Sequence, residues 1–191
     1  RYESISGNKW IAVATDHTTQ YAITRAFPTS CATDVSDSFL YDVTLHHGSP
    51  CQLLTDRGRY FVSQVIDDLL RFCETKHKFA TAYHPQTSEL TERFNRTLPD
   101  MLFMYVSSHH LDWNVALSFV TFVHNSSCHY TAGFLPFYLL FGRDSTLSLD
   151  TIFPTAVDSP TEFAHDTITR AREARDVAHK HLLASQEQQK Q

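Results

Sequence analysis

Short apolar segments rich in β-branched residues alternate along this chain with longer segments that carry an apolar row on one helical face. Residues 10–15 and 20–27 are apolar runs on either side of a short polar stretch, which predicts an antiparallel strand pair. Further short strands are predicted at residues 51–55 and 78–82, and helical segments separate them. Strands that alternate with helices in this way predict an α/β domain.

The predicted helices are recognised by apolar residues that recur every three or four positions. One begins after a cap at Thr29 or Ser30 and runs to about residue 45, and a second begins after a cap at Ser63 and runs to about residue 75. Two more cover residues 88–107 and 112–128. The helix at residues 88–107 has an apolar stripe that we expect to face the core, formed by Leu90, Phe94, Leu98, Met101 and Tyr105.

Three regions are expected along the chain. Residues 1–150 form the α/β domain, residues 151–160 a linker that contains Pro and Ser, and residues 161–191 a C-terminal helix that leads toward a downstream domain. No apolar run approaches the roughly 18 residues of a membrane span. The start at Arg1 lacks a basic-then-apolar signal pattern, so we expect the chain to begin inside a longer reading frame.

Charge and cysteine content exclude several classes of function. The formal net charge is −5, from 16 Lys and Arg against 21 Asp and Glu. This argues against a strong nonspecific nucleic-acid binder, because such affinity depends on neutralising phosphates. The 4 cysteines include no C-x-x-C pair, so a zinc knuckle is not expected. We interpret them as the buried, reduced thiols of an intracellular protein.

The residues best suited to chemistry are two carboxylates. Asp56 closes a predicted buried strand and precedes an Arg-Gly turn, at the edge where ligand groups collect in α/β sheets. Glu92 follows after 35 intervening residues, in the first turn of a helix, on a polar face that it shares with Asn95 and Arg96. Such a pair suits hard divalent cations. The structural alternative is that Asp56 caps a turn and Glu92 favours the helix dipole, and spacing alone favours this alternative.

Four ordered motifs change that balance. They are LTDRGRYF at residues 54–61, YHPQT at 83–87, TERFNRTL at 91–98 and AGFLPFYLLFGR at 132–143. Together they resemble the integrase catalytic core of gypsy-type LTR retrotransposons, within the retroviral integrase superfamily. The resemblance runs from about residue 6 to residue 143. Four motifs with matching gaps are a more specific signal than an isolated pair of acids.

The resemblance implies a ribonuclease H-like α/β fold, with a mixed sheet flanked by helices and a trailing C-terminal helix. It implies that Asp56 and Glu92 are the second and third acids of a D-D-35-E arrangement that binds two divalent cations, Mg²⁺ or Mn²⁺. The implied activity is the joining of element DNA 3′ ends to target DNA, in the nucleus, by a homo-oligomer that has no contact with membranes. The residues implied to contact nucleic acid are Arg57, His84, Gln86, Asn95 and Arg96.

The first acid of that arrangement is not expected within this chain. In the family pattern it lies on the strand before a turn that matches residues 6–9, so that strand would precede Arg1. We therefore assign Asp16 a loop or capping role. A site that lacks one carboxylate is expected to hold its metals weakly.

Two other functions stay open at this point. One is a non-catalytic nucleic-acid-binding or interaction module, decayed or put to another use. It is favoured by the missing strand, by the net charge of −5, by Pro99 inside a predicted helix, and by Ser88 and Glu89 where the family has a glycine-containing step. The other is a stand-alone nuclease of the same fold, which would use the same acids. Joining of two DNA ends separates an integrase from a nuclease.

Overall fold

The computed structural model describes residues 3–80, 89–106, 112–129, 132–145 and 160–188. Its strands are β1 (Trp10–Thr15), β2 (Ala22–Phe27), β3 (Gln52–Thr55) and β4 (Lys76–Phe79). The first helical region is α1 (Ala32–Ser38), a π-helical segment (Phe39–Thr44) and α2 (Leu45–His47). The later helices are α3 (Gln64–Phe72), α4 (Glu89–Tyr105), α5 (Trp113–Asn125), α6 (Pro136–Phe141) and α7 (Pro160–Gln188).

The chain divides into two compact units. The first comprises Arg1–Thr15 and Ile23–Thr121, and the second comprises Asp16–Ala22 and Phe122–Gln191. Residues 151–159, which carry most of the predicted linker, lie outside the described residues. The expected division into a core, a linker and a C-terminal helical region therefore stays a prediction.

Strands β1 and β2 form an antiparallel hairpin. The Lys9 N–H donates to the Phe27 carbonyl at 2.7 Å at the open end, and the Asp16 N–H donates to the Tyr21 carbonyl at 2.9 Å beside the turn. Strand β2 begins later than predicted because Gln20 has a left-handed φ of +60°, which places it in the turn.

Strands β3 and β4 pair in parallel, with Gln52 opposite Lys76 and Thr55 opposite Phe79. Helix α3 connects them, as a parallel pair requires a crossover connection. Strand β4 therefore lies earlier in the chain than the predicted 78–82. Its bounds are set by the residues that pair with Gln52–Thr55 of β3. The α/β prediction is confirmed. The described strands form two two-stranded sheets, one antiparallel and one parallel, where the resemblance implied a mixed sheet.

The core beside these strands is built around α3. Its buried members are Phe39, Ile66, Leu70 and Cys73. The Ser63 hydroxyl accepts a hydrogen bond from the Ile66 N–H at 3.4 Å, so the predicted cap of this helix is confirmed. This cap fixes where α3 starts, and so where its buried face begins.

The expectation that the cysteines are buried is wrong for three of the four. Cys73 is buried because it packs in the core beside α3. The other three, Cys31, Cys51 and Cys128, are exposed.

The predicted caps of α1 at Thr29 and Ser30 are wrong. Cys31 occupies the N-cap position of α1 and makes no side-chain cap hydrogen bond. The Thr29 hydroxyl donates instead to the carboxylate of Asp34, in the first turn of the helix. That hydrogen bond is the main reason that the pKa of Asp34 lies below its ordinary value of 3.8.

Helix α4 runs unbroken through Pro99. Its buried side chains include Phe94 and Leu98 from the predicted stripe. Leu102, which the stripe did not contain, is buried as well, whereas Tyr105 is 49% exposed. Steps of four residues along the helix carry the buried row from Phe94 through Leu98 to Leu102, which accounts for the difference.

In the second unit, α6 packs on α7. The buried residues of this contact are Ala132, Leu139, Ala174 and Ala178. The Arg175 guanidinium donates to the carbonyls of Leu139 and Leu140, the latter at 2.7 Å, so it satisfies carbonyls near the end of α6. The predicted C-terminal helix is thus present. None of the helices in the described ranges is long and apolar enough to cross a membrane.

Candidate functional site

Asp56 follows directly on the last residue of β3 and is exposed. Its carboxylate Oδ1 accepts a hydrogen bond from the Gly58 N–H at 2.8 Å. Its backbone carbonyl accepts from the Thr55 hydroxyl at 2.9 Å, and that hydroxyl oxygen lies 2.9 Å from Nε2 of His77 on β4. The strand end and a turn of two residues together orient this carboxylate.

Gly58 cannot carry a side chain without a clash. A Cβ at this position would lie 2.9 Å from Oδ1 of Asp56 and 3.0 Å from the Tyr60 ring. The Arg-Gly turn predicted from the sequence is therefore present, and its glycine allows the backbone N–H to approach the carboxylate closely. The turn-capping interpretation of Asp56 is correct for Oδ1, and it is compatible with metal binding through Oδ2.

Glu92 lies in the first turn of α4 and is exposed, as are Asn95 and Arg96. The polar face predicted for these three residues is confirmed. The residue before Glu92 is held to the sheet, because the Thr91 hydroxyl is hydrogen-bonded to the Thr15 hydroxyl at 2.5 Å. Thr15 is the last residue of β1. The helix turn that carries Glu92 is thus tied to one strand end, while Asp56 follows another.

Asp16 has the capping role that we expected. Its Oδ2 accepts from the Thr19 N–H at 2.8 Å and from the Thr19 hydroxyl at 2.7 Å, within the β1–β2 turn. Both hydrogen bonds come from a residue three positions further along the same turn. The carboxylate is therefore used locally to close the hairpin.

The donor chemistry of Asp56 and Glu92 fits a divalent metal. Both offer exposed carboxylate oxygens, which are the ligands that Mg²⁺ and Mn²⁺ prefer. Within the ranges that the structure describes, no group of three or more His, Cys, Asp or Glu side chains is placed to hold a metal ion. Asp56 and Glu92 are thus candidate ligands by their chemistry and exposure, and their role as ligands stays a prediction.

The predicted nucleic-acid contacts are placed only in part. Arg57 is exposed, and its guanidinium lies 5.9 Å from the centre of the Phe79 ring, so the ring holds this cation beside Asp56. His84 and Gln86 fall outside the described residues. A contact with nucleic acid stays a prediction for all five residues, these three together with Asn95 and Arg96.

Sequence reasoning missed the residues that support the two acids. Thr15, Thr91 and His77 are in contact with residues far along the chain, and nothing in their local sequence indicates a partner. Gly58 could be recognised, because a glycine directly after an acid and an arginine is a turn signal. A contact between residues of one turn can be predicted from the sequence, whereas a contact between residues far apart in the chain cannot.

Comparison with known proteins identifies relatives among retrotransposon polyproteins. The chain is 28% identical over 145 residues to the retrovirus-related Pol polyprotein from transposon 412 of Drosophila melanogaster, a match that covers 76% of this chain and 12% of that protein. It is 29% identical over 126 residues to the transposon Tf2-3 polyprotein of Schizosaccharomyces pombe, covering 66% of this chain and 9% of that protein. The chain therefore spans about a tenth of the length of these polyproteins. No protein-family model matches it.

Solved structures with a similar fold include integrases of retroviruses. A chain of the simian T-cell lymphotropic virus intasome, determined in complex with the PP2A regulatory subunit B56 gamma, matches with a TM-score of 0.64 at 20% identity, over 83% of this chain and 55% of that one.

Two catalytic core domains match as well. The core of BIV integrase has a TM-score of 0.57 at 22% identity, over 68% of this chain and 84% of that one. The core of HTLV-2 integrase, solved with magnesium in a trimeric form, has a TM-score of 0.58 at 19% identity, over 68% and 83%. The chain therefore has the ribonuclease H-like α/β fold of integrase catalytic cores.

Proposed function

We propose that this chain is the catalytic-core part of a gypsy-type retrotransposon integrase, which joins the 3′ ends of element DNA to target DNA in a metal-dependent polynucleotidyl transfer. One observation carries the proposal. In a fold like that of integrase cores, Asp56 stands directly after β3 and Glu92 stands in the first turn of α4. The sequence similarity to retrotransposon polyproteins supports the same assignment.

Each site residue has a separate task in this proposal. Asp56 and Glu92 would hold the divalent cations, whose chemistry there would be to make a water or a 3′-hydroxyl a better nucleophile toward a phosphodiester. Asp56 presents Oδ2, because Gly58 engages Oδ1. Arg57 and Arg96 neutralise phosphates of the bound DNA, and Asn95 donates to the DNA backbone or a base edge. His84 and Gln86 contact the DNA beside the metals.

The proposal also includes parts beyond the described site. Asp16 has no catalytic role in this proposal, because its carboxylate is engaged in the hairpin turn. The active form is a homo-oligomer that holds two DNA ends and acts in the nucleus. The neighbouring structures include an intasome and a trimeric integrase core, which supports assembly of several copies.

A second candidate is a non-catalytic nucleic-acid-binding or interaction module with the same fold. It is favoured by the incomplete donor set, since the described residues supply no third acid beside Asp56 and Glu92. The net charge of −5 favours it as well, because it limits affinity for phosphates.

The test is a pair of measurements on the purified chain, alone and extended by the in-frame codons that precede Arg1. Mn²⁺ binding is titrated, and the joining of labelled duplex ends to a plasmid is assayed. We expect Asp56→Asn and Glu92→Gln to abolish joining and to weaken Mn²⁺ binding at least tenfold, an effect of about 1.4 kcal/mol or more.

Asp68→Asn is the matched control, because Asp68 is an exposed acid on α3 that contacts Gln64 and Arg71. It should change neither property. Cleavage without joining would favour a nuclease. An extended protein that binds no Mn²⁺ and joins no ends would show that the chain is the non-catalytic module.

A further inference from the structure

We propose that the hydroxyl pair of Thr15 and Thr91 is a positioning pair that sets the place of Glu92. The inference rests on the proposed function, in which Glu92 is a metal ligand. Neither threonine touches the metal or the DNA in this proposal. The pair acts by holding the first turn of α4 against the end of β1.

The geometry suits this role. The two hydroxyl oxygens lie 2.5 Å apart in a part-buried contact, and the residues are 76 positions apart in the chain. Thr15 ends β1, and Thr91 directly precedes Glu92 in the helix. Because successive residues of a helix move together, a shift of Thr91 relative to the strand is also a shift of Glu92.

The start of α4 needs such a contact more than its middle does. The first four N–H groups of a helix have no partner within the helix, so its first turn is the part that frays. Farther along, Phe94 and Leu98 are buried and hold the helix by packing. Glu92 itself is exposed, so burial of its own side chain does not determine its position.

Two hydrogen-bonded hydroxyl groups also bring a helix and a strand closer together than two apolar groups do. Hydroxyl oxygens in a hydrogen bond approach to about 2.5–3.0 Å, whereas carbon atoms in contact stay about 3.5–4.0 Å apart. Replacing both threonines with valine keeps the shape of the side chains but moves the first turn of α4 outward by about 1 Å. Displacements of about 1 Å at a reacting site change rates by about a hundredfold.

The chain contains a matched pair of the same chemistry elsewhere. Thr24 on β2 and Thr121 on α5 have hydroxyl oxygens 2.6 Å apart, also part-buried. The Thr121 hydroxyl donates to the Leu117 carbonyl, so Thr24 is the donor within this pair. It likewise ties a strand to a helix, but no proposed site residue adjoins it. Its removal therefore shows how the loss of such a hydroxyl pair affects the fold when no proposed site residue is involved.

The experiment compares Thr15→Val/Thr91→Val with Thr24→Val/Thr121→Val by two measurements, amide hydrogen exchange along the helices and Mn²⁺ titration. For the first double variant we expect exchange at Arg93, Phe94 and Asn95 to accelerate about tenfold and Mn²⁺ binding to weaken about tenfold. The second should accelerate exchange only in α5 and leave Mn²⁺ binding unchanged. Thr15→Ser/Thr91→Ser retains both hydroxyls, so its hydrogen exchange in α4 and its Mn²⁺ binding should match those of the unmodified protein.

Hydrogen exchange in α4 that stays unchanged in the first double variant would overturn the proposal, whatever the metal titration shows. Accelerated exchange with unaltered Mn²⁺ binding would overturn it too, because the pair would then hold the helix without positioning a ligand. If the unmodified protein shows no Asp56-dependent Mn²⁺ binding, the proposed function fails. The exchange rates still decide in that case whether the hydroxyl pair holds the turn that carries Glu92.

Discussion

Asp56 and Glu92 are held in different ways. The carboxylate of Asp56 is bound by the N–H of Gly58, two residues along the chain. The helix turn of Glu92 is bound through Thr91 to Thr15, 76 positions earlier. One acid is oriented by its own turn, and the other by a contact between a helix and a strand.

The difference predicts how each acid responds to change. A local turn forms wherever its few residues have the correct backbone, so Asp56 is sensitive to substitutions at its immediate neighbours. A long-range contact exists only when the whole unit is folded, so the position of Glu92 depends on the packing of α4 against β1. The predictions below test whether local and long-range contacts differ in this way, from the largest expected effect to the smallest.

The largest loss of stability is expected where one side chain makes two hydrogen bonds to the backbone of a residue far away in the chain. Asn125 accepts from the Ala22 N–H and donates to the Ala22 carbonyl, both at 2.8 Å and both buried. Asn125→Ala leaves these two backbone groups without a partner, which should lower the free energy of unfolding by about 2–4 kcal/mol. Urea denaturation measures this.

Ser127→Ala is the control near the same helix end. Ser127 is exposed, and its hydroxyl donates to the Val123 carbonyl within the same segment. This variant should change stability by less than about 0.5 kcal/mol. If both variants lost the same free energy of unfolding, the long-range hydrogen bonds of Asn125 would contribute no more to stability than the local one of Ser127.

The next effect concerns the local turn of Asp56. A methyl group at Gly58 would meet Oδ1 of Asp56 at 2.9 Å and the Tyr60 ring at 3.0 Å, so Gly58→Ala must displace the carboxylate or the ring. The loss of stability should be below about 1 kcal/mol, because both contacts are side-chain ends that can move. Mn²⁺ affinity should fall about tenfold, an effect of about 1.4 kcal/mol.

Gly48→Ala is the control for Gly58→Ala. A Cβ at Gly48 would have no neighbour within 4 Å, while its φ of +86° makes any side chain strained. The substitution should cost about 1–3 kcal/mol in stability and leave Mn²⁺ affinity unchanged. A Gly58→Ala protein with unaltered Mn²⁺ affinity would show that the turn does not orient Asp56.

A smaller effect is expected for a local contact without a role in the site. The Ser63 hydroxyl accepts from the Ile66 N–H at 3.4 Å at the start of α3. Ser63→Ala should lower the free energy of unfolding by about 1 kcal/mol, as the loss of an N-cap does. Ser63→Asp, which keeps an acceptor there, should retain the stability. If the Ser63→Ala protein were more stable than the unmodified protein, the Ser63 hydroxyl would not be a stabilising cap.

A separate effect, produced by acid and not by a substitution, is a pH dependence within the second unit. Burial of His124, together with repulsion by His129, lowers the pKa of His124 from 6.5 to about 4. Between these values the unfolded chain takes up a proton that the folded chain does not, so stability falls as the pH drops from 6.5 to about 4. Above pH 6.5 this contribution is constant.

Urea unfolding at pH 7, 5.5 and 4.5 measures that slope, and His124→Gln should make it shallower. The lowered pKa of Asp34 acts in another window, because its contribution is lost only as the pH falls below 3.8. An unaltered slope in His124→Gln would assign the acid sensitivity to other groups.

Much of the local structure could be predicted from sequence. The apolar runs of β1 and β3, the Ser63 cap and the first turn of α4 depend on neighbours within a few residues, and they were found within a residue or two of where they were expected. The caps at Thr29 and Ser30 failed because α1 begins at Ala32, which places Cys31 at the N-cap position.

The register of β4 and the burial of Leu102 were not predictable in this way. The first depends on pairing with β3, and the second on how α4 rotates against its neighbours. Burial and pairing are properties of two elements together, whereas hydrophobic periodicity is a property of one. For the same reason the partner of Thr91 could not be read from its surroundings in the chain.

The sequence by itself determined which acids stand at a strand end and at a helix start, because turn and helix signals are local. It also determined that Asp56 is followed by a glycine that lets a backbone N–H reach its carboxylate. Only the tertiary structure decided that Thr15 holds the turn of Glu92, since residues 76 positions apart meet only after α4 packs on β1. A hydrogen bond of this kind is specified by the whole packed unit.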